Sequence, residues 1–482
     1  MVGTTVESSL KAFLTDGRIA VFPDGARITT DSVFGAGIRY SLDLASSDSI
    51  SALALDDLLG LESARADVDM LPTVGIAAGI VLGGAFVVVC SAPGAKCFGS
   101  CPTIYSHDES GEVLEAEAFS YSIAPLFEGR DVDRIGVGAD ANGVVRLELR
   151  NEAFETHYIN HLELLEVRHE NDRAAYPNEE GRILVVGDMT EATSGIDRDG
   201  TDRLGELSAR DGTAFFSSDE RIRRATPEDF RDHIDLVFPR PDTPSAALVL
   251  RLRNSLLNTI LFYDLMLASQ GAKALDWLGT DMANLGDAAE LGQWFQRTMG
   301  LEISVRGPGG WERVARLADT GPLAWDEVAI QVPVPDDDRL RVRLSFLADE
   351  WRIDFAGLAG DVEFAEPTVA SFARVTPMGG DHDPALAAEL ALPDEDYLVT
   401  GPGTALSLES EPLGAYADSE RTFFLSSQGY YTEWIQPDWI RSSNGFEEFR
   451  PSGETIVRLM ERWLEEKDEF QKSFFETRIP VR

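Results

Sequence analysis

The sequence predicts a mainly β protein with a helical insert. Its parts are a small N-terminal β-barrel, one candidate transmembrane helix, a β-sandwich-like body, and a small C-terminal β unit ending in a helix. Three observations carry this prediction. Short runs of alternating apolar and polar residues, separated by Gly-, Pro- and Asp-rich turns, recur along most of the chain. Residues 254–300 switch to helical spacing, with Leu256, Leu257, Ile260, Leu261, Leu265 and Met266 on one stripe and Leu291, Trp294, Phe295 and Met299 on a second. Between Met70 and Ala95 no residue carries a charge.

In chain order, residues 1–69 read as a small SH3- or Sm-like β unit. Leu10 to Leu14 and Arg18 to Phe22 are strands joined by Thr15-Asp16-Gly17; Pro23-Asp24-Gly25 turns again, and Ala26 to Val33 follows. Residues 70–95 are the membrane candidate. About 20 apolar residues cross a hydrocarbon core of ~30 Å. Pro72 and Pro93 bracket the run, and Gly75, Gly79 and Gly83 form a small-residue face on which two such helices can pack, so a homodimer through this segment is one expected partnership. The competing reading is a buried pair of strands, since Phe86-Val87-Val88-Val89 suits a sheet.

Residues 96–376 read as the β-rich body. It opens with a hairpin of Pro102 to Ser106 and Val113 to Glu117, and it continues through Val144 to Leu149, His161 to Val167 and Ile183 to Val186. A polar stretch over 188–230 reads as a long excursion. Ala246 to Leu252 is a clear strand, and after the helical insert Leu301 to Val305, Val328 to Val332, Leu340 to Phe346 and Trp351 to Phe355 resume the sheet. Residues 377–393 read as a linker. Residues 394–482 form the last unit, with strands at Asp396 to Val399, Ala405 to Glu409 and Arg421 to Leu425. An amphipathic helix capped by Ser452-Gly453-Glu454 closes the chain.

The 482 residues carry 83 acidic and 42 basic side chains, a formal net charge of −41, and only five of the basic residues are lysine. The acids are dispersed and do not form a tail, which points to a salt-adapted, halophilic surface; a GC-rich genome is the rival account of the scarce lysine. No basic face is visible, so nucleic acid is not an expected partner. The three cysteines, Cys90, Cys97 and Cys101, all lie at or just beyond the end of the apolar run. MVGTTVESSL shows neither the basic start nor the apolar core of a secretory signal.

Four short motifs stand in a telling order: Asp16-Gly17-Arg18; Cys101-Pro102-Thr103-Ile104-Tyr105; Trp351-Arg352-Ile353-Asp354; and Phe423-Phe424-Leu425 followed by Gly429-Tyr430-Tyr431-Thr432-Glu433-Trp434. This order resembles a group of uncharacterised bacterial cell-envelope proteins, over most of the chain. The resemblance implies a bacterial membrane or envelope location with the body outside the cytoplasm, and it implies no activity. The missing signal or lipoprotein start departs from the group and leaves the mode of anchoring open.

Few constellations point to chemistry. Asp197, Asp199 and Asp202 lie at spacings that can wrap Ca²⁺, but the twelfth position of an EF-hand loop counted from Asp197 is Ser208, not Glu, so a solvated turn is the default and no other cofactor is expected. Cys97, Cys101 and His107 supply three zinc-type ligands without a fourth; a Cys97–Cys101 disulfide or free thiols are the alternatives. His157 and His161 share a face in either helix or strand, and Asp381-His382-Asp383 mixes carboxylate with imidazole; satisfied histidines are the default for both. Ser106-His107-Asp108 is no triad, because adjacent residues cannot point at one another. No phosphate-binding loop, dinucleotide fingerprint or zinc-protease motif occurs. Tyr430, Tyr431, Trp434 and Trp439 form the one aromatic cluster suited to recognising a glycan or protein, set against a packed edge of the terminal unit. The functional expectation is therefore a membrane-anchored envelope scaffold or binding protein, not an enzyme. The alternative is a carbohydrate-active or other hydrolase whose carboxylates come from separate strands, Asp354 and Glu433 being the first to test.

Overall fold

The structure is a computed structural model that describes residues 3–42, 44–63, 101–108, 111–226, 229–394, 396–414, 419–442, 449–476 and 478–481. The membrane candidate 70–95 with Gly75, Gly79 and Gly83, and the cysteines Cys90 and Cys97, lie outside the described residues. Among the described residues no helix is long and apolar enough to cross a membrane. The protein is mainly β, with strands gathered into five sheets.

The first 63 residues build a seven-stranded antiparallel sheet. Its hairpin Leu10–Leu14 to Ile19–Phe22 turns on Gly17 at φ 88°, and the Asp16 carboxylate braces the turn by accepting from Arg18 N at 3.1 Å and Arg18 Nε at 2.8 Å. Strand Ser32–Tyr40 runs through Gly35 and Gly37, and the register slips between Phe34 and Gly37 as a β-bulge. A Cβ on Gly37 would lie 2.8 Å from the Phe22 ring, which is why a residue without a side chain sits there.

Strand Ser245–Asn254 shows how the body stacks. Ala246, Leu248, Leu250 and Leu252 face the five-stranded sheet and bury against Ile234, Leu236, Val342 and Leu344, giving the expected sandwich. Ala247 and Val249 face the other way, onto Tyr176, Leu184 and Val186 of a three-stranded sheet. That small sheet is buried on its far side too, where Ala175, Ile183 and Val185 meet Val132, Leu165, Val167 and Phe424 of a nine-stranded sheet. Ile183–Val186 thus reads as an unbroken apolar run because it is covered on both faces.

The nine-stranded sheet curls into a near-barrel around Ile104, Phe119, Leu149, Ile159, Leu164, Leu406 and Leu425. Its end strands meet where Gly136 N donates to Glu115 Oε2 at 2.6 Å. The pair Glu155–His169 and Glu420–Glu433 forms its spine. A bulge at Asn160 shifts that register by one residue, so Ile159 and Leu162 both point inward. His157 and His161 therefore do not share a face: alternation reverses between them. Segment 377–393, read as a linker, instead holds helix Pro384–Glu389, whose Leu386 packs into the barrel core. Asp383 caps this helix by accepting from Ala385 N at 2.9 Å. The polar excursion over 188–230 contains strands Met189–Glu191 and Ser194–Asp197 and helix Asp219–Arg224.

Helical turns from Leu257 to Thr298, several of them widened to π geometry, form the insert. Their apolar stripe shares one core with Leu10, Ala12 and Phe22 of the first sheet and with Leu459, Trp463, Phe470 and Phe474 of the terminal helix Gly453–Glu476. The hydroxyl of Ser452 accepts from Thr455 N at 3.2 Å and caps that helix, as its sequence predicts.

Candidate functional site

Between strand Ser245–Asn254 of the four-stranded sheet and strand Leu301–Gly307 of the five-stranded one, the insert arches over a cavity of about 1010 Å³. Buried residues form the floor: Cys101, Asn254, Ser255, Phe262, Tyr263, Glu350 and Tyr431. Exposed residues form the rim, among them Gln293, Gln296 and Arg297 of helix Leu285–Thr298 and Arg313 of strand Gly310–Leu317.

The polar groups of the wall are held by hydrogen bonds, and among the described residues two of their atoms are left without partners. Asn254 Oδ1 accepts from Thr320 N at 2.7 Å, which orients the amide; its Nδ2 has no acceptor, although the residue is only 1 % exposed. Asn258 Nδ2 donates to Asp319 Oδ2 at 2.7 Å, and its Oδ1 has no donor. Asp319 Oδ1 also accepts from Gly321 N at 2.9 Å. A buried donor or acceptor left unmade costs ~1–3 kcal/mol.

Burial pushes the carboxyls of the wall upward. Glu350 is raised to about 7 by burial, against the opposing hydrogen bonds from Gly300 N (2.6 Å) and Leu347 N (3.2 Å). Asp319 is raised by burial against the bonds from Gly321 N and the Asn258 amide. Behind the floor, burial also raises Glu117 to about 7; its Oε2 accepts from Ala324 N at 2.8 Å. Glu433 and Glu155 lie fully buried and face each other, and burial raises both well above the usual carboxylate range, with mutual repulsion adding to the rise of Glu155. Side-chain hydrogen bonds from Tyr263 and Glu155 to Glu433 oppose that rise. His157 Nε2 lies 2.7 Å from Glu155 Oε1, and burial lowers this imidazole to about 3, so it is neutral. The cavity thus combines aromatic faces, amide donors and acceptors, and carboxyls able to hold a proton near neutral pH.

The structure separates the residues singled out from the sequence. Tyr431 borders the cavity, its hydroxyl donating to Ser120 O at 3.2 Å. Tyr430, Trp434 and Trp439 form no exposed platform with it. Tyr430 stacks on Tyr158 (ring centroids 4.6 Å apart), Trp434 stacks on Phe13 (3.6 Å), and Trp439 packs 6.1 Å from Tyr263. Being large and apolar, they fill the seams between the spine strands, the first sheet and the insert.

Asp197 serves its own turn, accepting from Asp199 N (3.0 Å), Thr201 N (2.8 Å) and Arg203 Nε (2.9 Å), while Asp202 accepts from Leu204 N at 3.0 Å. Protein donors thus reach the carboxylates of Asp197 and Asp202, and among the described residues no group of three or more His, Cys, Asp and Glu is placed to hold a metal ion. His107 Nε2 pairs with Glu148 Oε2 at 3.1 Å, and Cys101 is buried with Sγ 3.9 Å from Glu117 Oε1. Asp354 sits in the sandwich, paired with Arg251 and accepting from Gly212 N at 2.7 Å, while Glu433 lies against Glu155, so the two share no partner. The sequence reading missed Asn254, Asn258, Asp319 and Glu350. One signal was available: Asn254 and Asn258 stand four apart at the start of an otherwise apolar helical run.

No family model and no curated protein matches the chain. Among solved structures it is similar to the C-terminal CBM6 of LamC, a marine laminarinase from Zobellia galactanivorans, at 11 % identity over 41 % of this chain and 98 % of that one, with a TM-score of 0.15. It is also similar to a GH31 α-xylosidase from Xanthomonas citri, at 11 % identity over 88 % of this chain and 38 % of that one, with a TM-score of 0.16. A third likeness, to an exo-β-1,3-galactanase from Phanerochaete chrysosporium, has 8 % identity over 75 % and 69 % of the two chains and a TM-score of 0.17. Likenesses this slight decide neither family nor activity.

Proposed function

We propose that this protein is a glycan-binding protein of the bacterial cell envelope, anchored through residues 70–95, with its ligand held in the cavity under the helical insert. One observation carries the ligand class: Asn254 and Asn258 both line the cavity, and among the described residues Asn254 Nδ2 and Asn258 Oδ1 are buried without partners, one donor and one acceptor. A ligand bearing neighbouring hydroxyls offers both at once, since each hydroxyl donates and accepts. An alkyl chain would leave both groups unmade, at ~1–3 kcal/mol each. Rings such as Phe262, Tyr263 and Phe295 give the apolar faces against which a sugar ring packs. Isothermal titration of the purified chain with a panel of neutral and acidic oligosaccharides tests this. Asn254→Leu should weaken the best binder about tenfold, one lost hydrogen bond to a buried partner. A panel that gives no heat, or a best binder indifferent to Asn254→Leu and Asn258→Leu, overturns the reading.

A second reading is favoured by Asp319 and Glu350, two wall carboxyls both raised by burial. In a hydrolase one of them would protonate the leaving oxygen. Glu350→Gln should then abolish turnover of a bound oligosaccharide while sparing its affinity; product formation unchanged by this substitution removes Glu350 as the acid. The anchoring is tested by alkaline carbonate extraction: the full chain should stay in the membrane pellet, and a full chain soluble without detergent would show that 70–95 does not span the bilayer.

A further inference from the structure

The mouth of the cavity reverses the charge balance of the rest of the protein. Acids outnumber bases 83 to 42 in the chain, yet the rim brings Arg297, Arg313 and Arg316 together, and the two acids of the wall, Asp319 and Glu350, lie deeper. The sheet is built to do this. Glu302 pairs with Arg316 and Ser304 with Arg313, so the register skips Val314 as a β-bulge. Three residues apart in a regular strand, Arg313 and Arg316 would point to opposite faces; the bulge turns both toward helix Leu285–Thr298, which contributes Arg297.

Among the described residues these guanidiniums have little to hold. Arg297 makes no ion pair, Arg313 reaches Glu302 Oε2 only at 3.6 Å, and Arg316 donates from Nη2 to Phe295 O at 3.5 Å. Burial lowers the pKa of Arg316, and the nearby Arg231 and Arg313 charges lower it further, while Glu350 and Glu302 raise it. Arg231 itself is turned away, donating to Thr298 O at 2.9 Å.

Taking the cavity as a glycan site, we propose that its ligand is an acidic saccharide, whose carboxylate or sulfate is bound by Arg297, Arg313 and Arg316 while the sugar hydroxyls meet Asn254 and Asn258. Guanidinium matches a planar carboxylate or a sulfate edge with two parallel hydrogen bonds, which a neutral sugar cannot accept with equal strength. A cationic mouth in a protein of charge −41 also draws acidic ligands to this place and not elsewhere on the surface.

The test is titration of the full chain with trigalacturonate, a sulfated galactotriose and neutral galactotriose, at low and at molar salt. The acidic sugars should bind at least about tenfold more tightly than the neutral one, the better of the two identifying carboxylate or sulfate as the group read. Arg316→Gln and Arg297→Gln, the latter at an exposed position, should remove that preference without changing neutral-sugar affinity or thermal stability. Equal affinity for charged and neutral sugars, or a preference that survives both substitutions, overturns the inference. If the neutral sugar still binds and is still lost in Asn254→Leu, the cavity reading stands without the acidic one; if no sugar binds, both fall together.

Discussion

Trp434 measures how much a single residue holds together here. Its ring is fully buried, stacked on Phe13 of the first sheet, with Nε1 donating to Thr156 Oγ1 at 2.9 Å, so it fastens the spine of the near-barrel to the N-terminal sheet. Trp434→Ala should cost ~3–5 kcal/mol in urea unfolding, the usual loss for a large buried ring; a loss near zero would show the contact to be idle. Glu350 gives a prediction in pH. Its proton is held up to about 7 in the fold, while an unfolded glutamate titrates near ~4.3. The native state therefore binds more protons between those values, and the stability this group contributes is full below the lower one and lost as pH rises through the higher. Glu350→Gln cannot ionise, so its melting temperature should gain on the wild type between pH 5 and 8; parallel curves would mean that the carboxyl is already ionised. Lys11 shows what residue type alone hides. A lysine within strand Leu10–Leu14, it is 3 % exposed, donates to Tyr158 Oη at 3.0 Å and pairs with Glu62 at 3.7 Å.

At the scale of the element, the bulges do what alternation cannot. The bulge at Asn160 is stapled: Nδ2 donates to Glu128 Oε1 (2.8 Å) and Asp394 O (3.0 Å), and Oδ1 accepts from Asp394 N (2.9 Å). Asn160→Ala should cost ~1–3 kcal/mol and speed amide exchange at Asp394, while leaving Leu162 and Leu164 protected. If the exchange at Asp394 is unchanged, the side chain is not what holds that loop. Most strands were legible because their period-2 pattern is intact: Ala246 to Leu252 and Leu340 to Phe346 lie inside the observed Ser245–Asn254 and Arg339–Leu347. Where a bulge inserts one residue, as at Asn160 or Val314, the pattern slips by one and neither the shared face nor the cavity rim can be read from spacing.

For the whole molecule the governing quantity is the charge of −41. Dispersed carboxylates repel one another over a Debye length of ~10 Å at 0.1 M salt and ~3 Å at 1 M. The melting temperature should therefore climb as KCl is raised from low to molar concentration, read by scanning calorimetry. A flat or falling curve would assign the acidic excess to genome composition.

The β class, the place of the helical insert, the capped terminal helix and the acidic excess are legible in the order of residues, because each follows from local periodicity, turn chemistry or simple counting. Tertiary structure decided what those parts surround. The pair Asn254 and Asn258 lies far in sequence from Asp319 and Glu350, and the four carry no motif; they meet because the insert arches over the cavity that all four line. Likewise Tyr430, Trp434 and Trp439 look like a recognition cluster on paper and pack into three different seams in space. Side-chain type fixes what a residue can do, but burial and partners, which depend on contacts across the whole chain, fix what it does.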